Sequence, residues 1–297
     1  MSEDRWLTVT TTDSRALEVL VEGPSDGFPL VYHAGTPSGA VPFPRLMQAA
    51  AASGLRTVTY SRPGYGTSTP RPGRTVGDVA TDVEAVLAAL GVEQFVTLGW
   101  SGGGPHALAC AALLPEACRG AATLAGAGPY ADPGVADWSD GMGAENVAEF
   151  GAAVEGEQAL TDYLAAQCEG LVHVTGDQIA DAFGDLVPEV DRRALTGDLA
   201  DYVAESCRRA VLQGVAGWRD DDLAFVRPWG FSLDTITVPV SVWQGRLDKM
   251  VPFAHGSWLA ANVAGARKHL YDDEGHLSLA AQLDRIVADL ADIAGLT

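Results

Sequence analysis

Apolar positions fall first into short strand-like runs and then into helical stripes along this chain. Residues 6–12 and Ala16–Glu22 read as two strands, joined as a hairpin by Asp13-Ser14. Residues 29–33 and Leu55–Tyr60 are compact apolar runs, separated by the alanine-rich, helix-like residues 45–53. The clearest helix follows. Val76, Val79, Ala80, Val83, Val86, Leu87 and Leu90 recur at helical spacing, with Thr75 as N-cap, Asp78 three residues on and Gly91 as the stop. Residues 94–98 predict a buried strand, residues 105–114 a buried helix and residues 120–124 another strand. This alternation predicts a parallel sheet with helices on both faces.

The rhythm breaks near Gly128-Pro129. Residues 130–234 read as mostly helical and acidic, with Gly and Pro breaks at Gly184, Pro188 and Gly197. Strand character returns at residues 238–243, followed by a helix at 253–263, a last strand at Arg267–Tyr271 and an amphipathic helix at 277–290. Both flanks are needed to complete one sheet. The reading is therefore one α/β core, residues 1–129 and 235–297, carrying residues 130–234 as an inserted helical cap.

Composition narrows the function. The 297 residues are 47% hydrophobic and 20% charged, and carry a net charge of −20, which repels nucleic acid phosphates and anionic membrane surfaces. The expected partner is a small-molecule substrate; the oligomeric state is left open. The N-terminus shows no basic segment followed by an apolar one, and no apolar stretch is long enough to span a bilayer. Four scattered cysteines without a C-x-x-C pair read as free thiols rather than a metal site. The expected location is cytoplasmic.

The chemistry centres on Gly99-Trp100-Ser101-Gly102-Gly103, set between a strand and a helix. A sharp strand-to-helix turn strains the serine backbone and crowds its neighbours, which explains the flanking glycines. A serine hydroxyl needs a base, and the base needs a group that orients it. Two loops at the carboxyl ends of strands supply candidates: Asp248 in Gly245-Arg246-Leu247-Asp248-Lys249-Met250-Val251-Pro252, and His276 in Glu274-Gly275-His276. Asp272, Asp273 and Asp220-Asp221-Asp222 compete with Asp248 for the acid. The aspartate triplet itself reads as a solvated loop or helix cap; a role in recognising a substrate amine has no support in the sequence.

These motifs resemble the α/β-hydrolase superfamily over nearly the whole chain outside residues 130–234. Ser61-Arg62-Pro63-Gly64-Tyr65-Gly66-Thr67-Ser68 is similar to that family's glycine-rich turn, and Ala34-Gly35-Thr36-Pro37 to its oxyanion loop, with Ala34 in place of the usual histidine and His33 one place early. The resemblance implies an α/β-hydrolase fold, a mostly parallel eight-stranded sheet, and a serine hydrolase with Ser101 as nucleophile, His276 as base and Asp248 as its orienting acid. It further implies the N–H groups of Thr36 and Gly102 as oxyanion donors, Trp100 as a pocket wall, and no metal or organic cofactor. The expected substrate is a small or medium acyl ester, or an amide. A proline-iminopeptidase-like enzyme, a carbon–carbon bond hydrolase and a ligand-binding protein on the same fold are the alternatives. His106 reads as a satisfied core residue, His173 as a structural cap residue, and His255 and His269 as exposed or half-buried structural positions. Trp138, Phe150, Tyr163, Phe183, Tyr202 and Trp218 are read as either core or pocket lining.

Overall fold

The computed structural model describes residues 5–130, 135 and 137–296. The chain opens with β1 (Arg5–Thr10) and β2 (Ala16–Glu22), then β3 (Phe28–His33), α1 (Pro44–Ala52) and β4 (Leu55–Tyr60). A 3₁₀ turn at Val76–Asp78 leads into α2 (Val79–Leu90), followed by β5 (Phe95–Trp100), α3 (Gly103–Leu113) and β6 (Cys118–Leu124). The helical block consists of α4 (Ala144–Glu155), α5 (Glu157–Leu171), α6 (Gly176–Ala182), α7 (Glu189–Ala194), α8 (Gly197–Ala210) and α9 (Ala216–Phe225). The chain then completes the sheet with β7 (Val240–Gly245), α10 (Phe253–Asn262), β8 (Arg267–Tyr271) and α11 (Leu283–Ile293).

The eight strands form one sheet in the order β1-β2-β4-β3-β5-β6-β7-β8. β2 runs antiparallel to β1 and to β4, and every later pairing is parallel, with Val31 beside both Val58 and Thr97. The period-two alternation splits the core. Leu30, Val96, Leu98 and Ala122 pack beneath Ala49 and Ala50 of α1 and Ile286, Val287 and Leu290 of α11. Val31, Phe95 and Ala121 face Val83 and Leu87 of α2, Leu108 of α3 and Leu259 of α10. Helices therefore seal both faces, as continuous apolar strands require.

Local signals decide where elements start and stop. Thr75 and Asp78 form the expected capping box, and Gly91 ends α2 in the left-handed region at φ 64°. The final helix differs from its single predicted run: a 3₁₀ segment, Ser278–Gln282, precedes α11, because the chain must first turn out of the loop carrying His276. No helix among the described residues is long and apolar enough to cross a membrane. Of the cysteines, Cys110, Cys118 and Cys207 are buried free thiols and Cys168 is half-buried.

Candidate active site

Ser101 sits where β5 ends and α3 begins, with φ at 58°. A side chain rarely adopts this conformation, so the surroundings must enforce it. The Ser101 N–H donates to the Leu124 carbonyl of the neighbouring strand at 2.8 Å, and the Ser101 carbonyl accepts from Gly104 N–H at 2.8 Å. A methyl group on Gly99 would collide with the Gly103 carbonyl, and one on Gly103 with the His33 carbonyl. Glycine at both positions is thus a steric requirement of the turn.

His276 and Asp248 arrive from the two loops beyond β8 and β7. His276 Nδ1 lies 2.9 Å from Asp248 Oδ2, and both side chains are buried. Asp248 is held in turn: its Oδ1 accepts the N–H groups of Met250 and Val251, each at 2.8 Å, and its Oδ2 accepts Gln244 Nε2 at 3.0 Å. Burial pulls the His276 imidazole towards the neutral form, but the Asp248 charge and hydrogen bond outweigh it, with help from Asp191, and raise its pKa above the ordinary 6.5. The competing Asp272 and Asp273 are exposed, and Asp272 is engaged by Arg246 at 2.6 Å.

Ser101, His276 and Trp100 line one cavity of about 230 Å³, roofed by residues of the helical block. A smaller cavity of about 40 Å³ is walled by Ser101, Thr36 and Gly102, space for roughly one water-sized group. Neither the Thr36 nor the Gly102 N–H enters a backbone hydrogen bond among the described residues. Two free amides beside the hydroxyl form a candidate oxyanion site. Trp100 stacks between Phe43 and the His276 ring, at 6.2 and 6.3 Å. Tyr163, Phe183, Tyr202 and Trp218 line the larger cavity, and Trp138 and Phe150 the smaller.

The aspartate triplet overturns its expected reading. Asp220, Asp221 and Asp222 are all buried within α9, not solvated. Asp221 is the hub beneath the Ala34-Gly35-Thr36 loop. Its Oδ2 accepts Arg62 Nη2 at 2.6 Å, Tyr65 OH at 2.9 Å and Thr36 Oγ1 at 3.0 Å, while Oδ1 accepts Arg74 Nη2 at 2.6 Å. Burial alone would raise the Asp221 carboxyl, but Arg62 and Arg74 overcome it and hold it below the usual carboxylate range. Arg62 also donates to the Ala34 and Gly35 carbonyls at 2.6 and 2.8 Å. A guanidinium fork therefore grips the loop from behind, where Ala34 brings no side-chain donor.

Asp191 is a further participant that no sequence signal marked. It lies on α7 and is fully buried. It accepts the N–H groups of His276, Leu277 and Ser278 at 2.8, 2.9 and 2.8 Å. Among the histidines, His106 is buried with Nδ1 2.8 Å from the Gly102 carbonyl, and burial pushes it down to about 3, so it is neutral. His173 is exposed and His269 half-buried against Trp243. His255 departs from expectation: it is buried, accepting the Gly128 N–H and donating to the Trp138 carbonyl, so that it satisfies two backbone groups away from water. Asp132, the first carboxylate after β6, lies outside the described residues.

Comparison with known proteins agrees with this architecture. A family model described as alpha/beta hydrolase fold matches residues 29–280. The chain is 30% identical over 229 residues to a pimeloyl-[acyl-carrier protein] methyl ester esterase of Aromatoleum aromaticum, covering 75% of this chain and 81% of that one. It is 26% identical over 287 residues to a non-heme chloroperoxidase of Streptomyces lividans, covering 95% and 97%. Among solved structures, a hydrolase from Pseudomonas aeruginosa superposes with a TM-score of 0.69 at 19% identity, covering 98% of both chains. The esterase RhEst1 from a Rhodococcus species superposes at 0.65 and 21% identity, also covering 98% of both. The chain belongs to the alpha/beta hydrolase fold family.

Proposed function

We propose that this protein is a serine hydrolase that cleaves small or medium acyl esters through an acyl-enzyme on Ser101. The observation that carries the reading is the 2.9 Å Asp248–His276 contact in a buried site whose cavity is shared with Ser101. The Ser101 Oγ attacks the acyl carbonyl while His276 Nε2 accepts its proton. Asp248 stabilises the resulting imidazolium. The Thr36 and Gly102 N–H groups receive the oxyanion, each contributing roughly 3–4 kcal/mol to the transition state. Collapse expels the alcohol, which takes the proton back from His276, and a water attacks the acyl-enzyme by the same route. Residues 130–234 act as the cap that shapes the acyl site, with Trp100 as its floor. The ester-cleaving name of the relative from Aromatoleum aromaticum favours an ester over an amide.

A fluorophosphonate probe tests the assignment. It should label the wild type and fail on Ser101→Ala, and hydrolysis of p-nitrophenyl esters should vanish with the label. Labelling that persists in the variant would remove Ser101 from the mechanism.

A further inference from the structure

The substrate cavity has a one-sided charge pattern. Glu145 and Glu149 of α4 line the larger cavity, and Glu149 and Asp222 line the smaller one. Neither cavity is lined by a Lys or Arg among the described residues. Arg62 and Arg74, behind the smaller cavity, are engaged by Asp221.

The acids are also short of partners. Asp222 is fully buried, and among the described residues neither of its carboxyl oxygens meets an N–H or hydroxyl donor. What couples to it is another acid, Glu149, fixed through Oε1 by Trp218 Nε1 at 2.8 Å. Burial pushes Glu149 up to about 7 and Asp222 well above its ordinary value, as expected of two carboxyls sharing a proton. Glu145 Oε2 is a buried oxygen without a partner among the described residues. The rings of Tyr163, Phe183 and Trp218 stand in the same wall. An acid pair with no Lys or Arg beside it in the cavity wall, set among aromatic faces, is the environment that receives an organic ammonium ion, through charge-assisted hydrogen bonds and cation–π contact.

We infer that Glu149 and Asp222, with Glu145 and the flanking aromatic rings, form a subsite for a cationic nitrogen, so that the favoured substrates are esters carrying an ammonium group. This rests on the serine hydrolase reading for its catalytic meaning, but the binding does not.

Calorimetric titration of phenethylammonium and its neutral isostere phenethyl alcohol tests it, near neutral pH and at about 0.15 M salt, where long-range attraction to the net charge is screened. The cation should bind about ten-fold or more tightly than the alcohol to the wild type and to Ser101→Ala. In Glu149→Gln, whose amide oxygen can still accept from Trp218, the ratio should fall towards one; Asp222→Asn should lower it too. Equal affinities in the wild type would overturn the subsite. A preference untouched by both substitutions would also overturn it, since it would report only the charge of the whole surface. Should Ser101 resist the fluorophosphonate while the cation still binds selectively, the esterase reading falls and the subsite stands.

Discussion

Asp248 does two jobs at the scale of a single residue. It fixes which nitrogen of His276 carries the proton, and its charge raises the imidazole pKa. In the proposed mechanism the base works only when neutral, so activity should be lost as pH falls through a midpoint above 6.5. In Asp248→Asn, burial is left as the dominant influence, so that midpoint should move below 6.5, with kcat reduced about a thousand-fold or more. A pH profile of kcat/KM checks both; an unmoved acid limb would show that Asp248 is not the orienting acid. The glycine at 99 and the serine at 101 could be read from spacing, since a turn that pushes Ser101 to φ 58° leaves no room for a side chain beside it. Asp221 could not be read that way. Its burial depends on Arg62 and Arg74, which are distant in sequence and meet it only in the folded chain.

Among the elements, α7 ties the helical block to the His276 loop. Its Asp191 receives three consecutive amides at the start of the 3₁₀ turn after His276. Asp191→Ala leaves those buried donors without an acceptor and should cost about 2–4 kcal/mol of stability, measured by denaturant unfolding. Asp191→Asn keeps an acceptor oxygen but loses the charge that helps raise His276, so its acid limb should shift to lower pH while kcat falls more than KM changes. A purely structural Asp191 would leave that limb in place. Gly275 is confined by the same contact, because a methyl group there would run into the Asp191 carboxylate. Element boundaries in the core were legible because the apolar runs and caps are local. The pairing of α7 with the His276 loop was not, since an aspartate on a short helix of mixed charge looks like any solvated residue.

Over the whole molecule, the acids at the seam between helical block and sheet make stability depend on pH. Glu149 and Asp222 bind protons more tightly in the folded chain than in the unfolded one. Their contribution is therefore complete below the ordinary carboxylate range and is lost as pH rises through their raised folded values. The melting temperature of the wild type should fall relative to Glu149→Gln between about pH 5 and pH 8; parallel curves would show that Glu149 ionises freely. The strand–helix rhythm, the elbow glycines and the loops bearing Asp248 and His276 were all written in the chain itself. Hydrophobic period and turn sterics act over a few residues, so one stretch reveals them without the rest. The cavity lining, the clamp on the His276 loop, the arginine grip on the loop at Thr36 and the buried Glu149–Asp222 pair came only with folding. Each depends on groups far apart in sequence meeting in a dry interior, where a charge must find a partner or keep its proton.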